Sequence, residues 1–261
     1  MNVAIDKRSD EADSAVRRAL AILTAFSFAD PILGVSELGR RLELPKTTVH
    51  RLLATLVAEG FVDRTQHGRY RLSLRLYEIG QEAVQSHGLR QVGHGPLEKL
   101  RNETGETAHL AVLSGTDVLY VDRLESPQLM RLMTRMGRRR AAHATSSGKC
   151  LLAYGSSDDV ERVVRGGLTR LAPRTITTKA ALKQALTDTR KNGYAVSVNE
   201  SAPDIVSVGA PIFDRTGSCV AAVSVAGPLL RMPPDSLDRY VRLVVRAAAE
   251  ISKGLSTTAT W

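Results

Sequence analysis

"SELGRRLELPKTTVHRLLATLVAEGFVDRTQHGRYRLS" (residues 36–73) decides the fold of the N-terminal part of the chain. Ser36 reads as the N-cap of a short helix. Pro45 suits the first position of a second helix and Gly60 its C-terminal stop. Within that second helix Val49, Leu52, Leu53, Leu56 and Val57 repeat at helical spacing, so one face is apolar. Two short strand-like runs then flank His67-Gly68, the signature of a β-hairpin.

Upstream, "SAVRRALAILTAFSF" from Ser14 places Val16, Ala19, Leu20, Leu23 and Phe26 on one helical face. Residues 1–13 are polar and mixed in charge; they read as a disordered lead without the apolar stretch of a signal peptide. Three helices followed by a hairpin, with only a few residues between the second and third helices, is the winged helix-turn-helix plan.

The charges fit that plan. Residues 14–75 carry ten basic residues against five acidic ones, a net of +5. Lys46, Thr47, Thr48, His50 and Arg51 lie off the apolar stripe of the third helix, where a recognition helix meets base edges. The threonines suit phosphate or a thymine methyl, and Arg51 suits guanine or phosphate. Arg40 and Arg41 end the second helix, a usual place for backbone contacts, with Ser36 at its start. Arg64, Arg69 and Arg71 sit on the hairpin, where a wing reaches the flanking groove. The partner expected is double-stranded operator DNA.

The whole chain extends this reading. It has 261 residues, a net charge of +9, 43% hydrophobic and 24% charged residues. This is a globular composition with room for two domains, and its basicity favours polyanions. Aromatics are only 4%, which argues against stacking platforms. Cys150 and Cys219 lie far apart in no metal-type spacing, so a reduced cytoplasmic protein is expected. No run of 18 apolar residues suggests a membrane span. The histidines are scattered, so neither a metal nor a cofactor is expected.

Beyond the hairpin, residues 76–90 read as a linker helix. Residues 91–256 read as a second domain, with 257–261 as a tail. In the second domain "HLAVLSGTDVLYVDRLES" is a strand pair. Helices are expected at 145–154, 157–165, 179–192 and 235–254, and strands at 194–198, 206–213 and 218–226. Strand pairs mixed with helices make this half α+β with an antiparallel sheet, not a doubly wound parallel sheet.

"HATSSGKC" (143–150) invites enzymatic readings. A phosphate loop needs an early Gly and a hydroxyl after the Lys, and His143 and Cys150 stand there instead. Ser146-x-x-Lys149 could begin a penicillin-recognising serine enzyme, with Ser197-Val198-Asn199 and Arg215-Thr216-Gly217 as later elements. Those two elements are crowded within 18 residues of each other, too close for the helical domain between them. The alternative reading, a serine hydrolase using Ser146 and Lys149, is therefore the weaker one. As a ligand site, the hydroxyls of Ser146 and Ser147 at a helix start, with its free N–H groups, suit an anion. Arg138-Arg139-Arg140 could touch DNA or ligand, but reads first as a loop of solvated charge.

"AVRRALAILTAF", "VSELGRRLELPKTTVHRLLATLVAEGFV", "HATSSGKCLLA", "GYAVSVNE" and "GAPIFDRTGSCVAAVSVAGP" together closely resemble the IclR family of bacterial transcription regulators, over about residues 14–256. The resemblance implies a winged helix-turn-helix, a linker helix and a GAF-like α/β effector domain that also drives oligomerisation, as a homodimer or homotetramer. It implies a non-enzyme with an effector pocket built from Ser146, Ser147, Gly148, Ser197, Ile205, Ser207 and Ser224, walled by Leu129 and Leu132. Several members carry an acid at the Ser197 position, cysteine at Ser207, and glycine where Asp204 stands. The pocket here keeps hydroxyls and lacks that acid, which favours a small organic, anionic effector, such as an organic acid of a catabolic pathway.

Overall fold

The computed structural model describes residues 7–86, 88–129 and 139–257, and the chain divides into two compact units between Ala83 and Val84.

The first unit holds helices α1 (Lys7–Ala25), α2 (Val35–Leu42) and α3 (Lys46–Ala58), strands β1 (Val62–Arg64) and β2 (Tyr70–Leu72), and most of α4 (Arg75–Ser86). The strands pair antiparallel around a turn at Gly68, whose φ of 69° suits glycine. The core gathers Ile22, Phe26, Leu33, Leu38, Val49, Leu53, Val62 and Tyr70. The winged helix-turn-helix is thus formed as expected.

Three details differ from the sequence reading. Helix α1 begins at Lys7, so residues 7–13 are helical and not a disordered lead. The buried face of α1 is Ile22 and Phe26 with Ala19 and Leu23, while Val16 and Leu20 are exposed. Ser36 is not a cap: Gly34 takes that position, and its N–H donates to the Glu37 carboxylate at 2.7 Å. The carboxylate satisfies the backbone N–H of the cap residue itself, the reach-back half of a capping box.

The expected linker segment 76–90 is not one helix. Helix α4 ends at Ser86, Gly88 adopts a φ of 59°, and α5 (Leu89–Thr104) begins.

The second unit is built on a six-stranded sheet of order β5-β4-β3-β8-β7-β6, with every neighbouring pair antiparallel. Its strands are β3 (Thr107–Ser114), β4 (Asp117–Leu124), β5 (Arg139–Ala141), β6 (Ala195–Val198), β7 (Ile205–Phe213) and β8 (Cys219–Pro228). Helices α5 and α9 (Leu237–Thr257) cover one face over Leu110, Val208, Val223, Val244 and Ile251. Helix α6 (Ser146–Tyr154) covers the other, backed by α7 (Ser157–Arg165) and α8 (Lys179–Asn192).

The helix boundaries at α6, α7 and α8 fall within a residue of the sequence reading. Their caps explain why: Thr145, Ser156 and Thr178 each accept from a backbone N–H of the first turn. Strand β5 was read as a loop of solvated charge and is instead the edge strand beside β4.

Candidate functional site

Strand register creates the site in the second unit. Side chains two apart share a face, and cross-strand partners lie side by side. One row across the sheet runs Ala195, Gly209, Ser224, His109 and Arg123; the next runs Ser197, Ser207, Ala226 and Thr107. A bulge in β4, where Leu110 faces Asp122 and Ala111 faces Tyr120, absorbs Val121 as an extra residue. The bulge puts Tyr120 on the same face as His109, while Asp122 turns to α5 and meets His94 Nδ1 at 2.7 Å.

Helix α6 starts against this face. A Cβ on Gly209 would lie 3.0 Å from the Ser147 nitrogen, so the glycine lets the helix end approach the sheet. A Cβ on Gly148 would lie 2.1 Å from the Ala142 carbonyl oxygen, in the single 3-10 turn Ala142–Ala144. Gly148 is therefore a packing requirement and does not line the pocket.

The pocket between the helix start and the sheet is lined by His109, Tyr120, Arg140, Thr145, Ser147, Ser201, Ala202, Ile205, Ser207, Ser224 and Ala226. Of the residues expected there, Ser147, Ile205, Ser207 and Ser224 take part. Ser147 and Ser224 share a hydrogen bond of 3.3 Å.

The other expected residues stand elsewhere. Ser197 is buried beside the pocket and donates to the Ala144 carbonyl at 3.0 Å. Ser146 Oγ is buried with no hydrogen-bond partner among the described residues. Leu129 is fully exposed and forms no wall. Leu132 lies outside the described residues.

His109, Tyr120, Thr145 and Arg140 were missed. Tyr120 faces His109 only because of the bulge in β4, a signal the sequence does not display. Thr145 could have been found from its capping place.

The electrostatics are those of a neutral wall near two guanidinium groups. His109 and Tyr120 rings pack at 4.4 Å between centroids. Burial, then Arg123 and Arg140, pushes the His109 imidazole down to about 3, so the ring is neutral at physiological pH. Burial raises the Tyr120 hydroxyl, and Arg140 and Arg123 oppose that rise. Arg123 itself pairs with Glu125 at 3.2 Å.

The serine–lysine pair is not assembled. Lys149 is buried, and its Nζ donates to the Val196 carbonyl and to Glu200 Oε1, both at 2.6 Å. Burial pushes the Glu200 carboxyl up and Lys149 pulls it back. Ser197 is committed to Ala144, and Arg215-Thr216-Gly217 occupy the exposed turn joining β7 to β8. Neither thiol suits a nucleophile: burial raises both, Cys219 to about 11. Among the described residues no group of three or more His, Cys, Asp or Glu could hold a metal, and no helix is long and apolar enough to cross a membrane.

In the first unit α3 buries Val49, Leu52, Leu53 and Leu56 and leaves Lys46, Thr47, His50 and Arg51 exposed, with Thr48 half-buried. Arg40 and Arg64 are exposed, as is Ser36 in the first turn of α2. Three of the expected contacts have internal duties, Arg71 by donating to the Asp63 carboxylate at 3.2 Å. Arg69 donates to the Glu37 carboxylate at 2.7 Å and the Ile32 carbonyl at 2.9 Å, fastening the hairpin to α2. Arg41 pairs with Asp30 at 2.9 Å. The Gly34 N–H, then Arg69 and Arg41, hold the Glu37 carboxyl below its usual range.

Two family descriptions match the chain: "IclR helix-turn-helix domain" over residues 15–66 and "Bacterial transcriptional regulator IclR C-terminal" over residues 81–253. The HTH-type transcriptional regulator KdgR of Escherichia coli is 32% identical, covering 96% of this chain and 95% of the relative. The HTH-type transcriptional regulator BhcR of Paracoccus denitrificans is 35% identical, covering 93% and 87%. An IclR homologue from Microbacterium hydrocarbonoxydans, solved in complex with 4-hydroxybenzoate, superposes with a TM-score of 0.82 at 29% identity, covering 92% of this chain and 98% of that one. An IclR transcriptional regulator from Alicyclobacillus acidocaldarius gives 0.81 at 28% identity, covering 93% and 99%.

Proposed function

This chain belongs to the IclR family of bacterial transcriptional regulators, and from that premise we propose that a small organic acid, bound beneath α6, sets its affinity for operator DNA. It is a transcriptional regulator of IclR type with a helix-turn-helix for DNA. In the proposal it works in the cytoplasm as a homodimer or homotetramer and catalyses no reaction. Two-fold symmetry presents two α3 helices to a near-palindromic operator.

The observation that supports an acidic effector is the make-up of the pocket. It offers hydroxyls of Ser147, Ser207 and Ser224 and a guanidinium, and among the described residues no carboxylate lines it. Positive potential in a small recess with convergent hydroxyls is complementary to a carboxylate. The ligand of the Microbacterium protein, 4-hydroxybenzoate, is itself an organic acid. The effector acts only to the extent that it binds one DNA-affinity state better than the other.

On the DNA side, α3 carries the proposed base contacts through Lys46, Thr47, Thr48, His50 and Arg51. Ser36, Arg40 and Arg64, all exposed, are proposed to contact the DNA backbone, and Arg41 and Arg69 would do so only by sharing guanidinium groups already engaged.

Two variants test the division of labour. Arg51→Ala is expected to weaken operator binding roughly 5- to 150-fold at fixed salt, the loss of one guanidinium–base contact, and to leave acid binding intact. Ser147→Leu, which fills the recess, is expected to abolish acid binding and leave operator binding intact. Both are read by fluorescence anisotropy of labelled upstream DNA and by calorimetry with the acid. Loss of acid binding in Arg51→Ala, or its survival in Ser147→Leu, contradicts the assignment.

A further inference from the structure

We propose that Arg140 binds the effector's carboxylate, so that the site selects small carboxylates bearing a second hydroxyl or carbonyl oxygen for Ser147 and Ser224. The inference rests on the pocket proposed above and assigns the charged group within it.

Edge-strand geometry aims Arg140 at the pocket. In β5 it stands opposite Val118, which shares a face with Tyr120. Its neighbour Arg139 alternates to the other side and donates to the Ser114 carbonyl at 3.1 Å. Among the described residues that line the pocket, Arg140 carries the one fixed charge, because burial keeps His109 neutral.

That charge is unspent. Arg123 has the Glu125 carboxylate at 3.2 Å, whereas the Arg140 guanidinium has no hydrogen bond or ion pair among the described residues. A guanidinium on a pocket wall without an acceptor offers a planar pair of N–H donors to a carboxylate.

The competing anchor is the start of α6, and part of its donor set is already taken. The Gly148 N–H goes to Thr145 Oγ1 at 3.1 Å, and the Lys149 N–H to the Thr145 carbonyl at 2.9 Å. The hydroxyls supply the second half of the recognition. Ser147 and Ser224 share one bond of 3.3 Å, which leaves further donor and acceptor capacity for a hydroxyl or carbonyl oxygen.

The test compares two acids, lactate and 4-hydroxybenzoate, with their uncharged amides, lactamide and 4-hydroxybenzamide. Binding is measured by titration calorimetry and by the shift in melting temperature, using full-length wild type, Arg140→Gln and Ser147→Leu. At least one acid is expected to bind wild type about 10- to 100-fold tighter than its amide, the advantage of a charge-assisted pair. Arg140→Gln should erase that preference while melting like wild type without ligand. Ser147→Leu should bind neither form.

Equal acid binding in wild type and Arg140→Gln overturns the assignment of Arg140; if Ser147→Leu still abolishes it, the pocket reading stands. Acid binding that survives both substitutions places the ligand elsewhere and overturns the pocket reading as well. Amides bound as tightly as acids, or neither acid bound by wild type, overturn the carboxylate class.

Discussion

His109 offers a quantitative handle on the pocket. It is 1% exposed, and its imidazole is held at about 3. In the unfolded chain an imidazole titrates near ~6.5. The folded state therefore refuses a proton that the unfolded state accepts. A depressed pKa gives stability that is complete above about pH 6.5 and lost progressively as pH falls toward 3. Each pKa unit is worth about 1.4 kcal/mol, so this residue alone removes about 2 to 3 kcal/mol as pH falls from 6.5 to 4.5. The assay is urea unfolding followed by far-UV circular dichroism, in half-unit steps over that range, for wild type and His109→Gln. Subtracting the two profiles cancels the other titrating groups. Wild type should lose about 1.4 kcal/mol more per pH unit than the variant. Parallel profiles would show that His109 is not held neutral, and the burial argument for the whole pocket wall would fall with it.

Other outcomes follow from buried groups near the same helix. Glu200→Ala strands the Lys149 ammonium, which is left with the Val196 carbonyl alone, and should cost about 3–5 kcal/mol in urea unfolding. The double substitution Lys149→Met with Glu200→Leu should recover most of that loss, since it removes both charges from the interior; failure to recover argues for a role beyond charge pairing. Gly148→Ala forces a Cβ to within 2.1 Å of the Ala142 carbonyl oxygen, so it should destabilise by roughly 1–3 kcal/mol or more. A wild-type melting temperature for Gly148→Ala would mean that the 3-10 turn does not pack against α6 as described.

Much of this architecture was legible because local chemistry signals it. Thr145, Ser156 and Thr178 announce helix starts through their side-chain oxygens, and Gly68 announces the hairpin turn through its positive φ. The apolar stripe of α3 fixed which side chains remain for DNA. Features that depend on distant residues were not legible. Glu37 accepts the Gly34 N–H at the start of α2 and also holds Arg69, 32 positions away. Lys149 sits in the run expected to form the pocket, yet pairs with Glu200 across 51 positions. The pocket wall of His109 and Tyr120 depends on one bulged residue, Val121, since a shift of one residue reverses the facing of a strand. Arg140 looked like one of three solvated arginines, and only its pairing with Val118 separates it from Arg139.

The central claim is coupling between the pocket in one unit and the helix-turn-helix in the other. It is tested most directly by the dissociation constant for labelled upstream DNA, measured by fluorescence anisotropy at fixed salt, with and without an acid that raises the melting temperature. Wild type should shift its DNA affinity by about 5- to 150-fold, in either direction, on saturation with that acid, and Ser147→Leu should not shift at all. An acid that binds wild type and leaves DNA affinity unchanged would contradict the account.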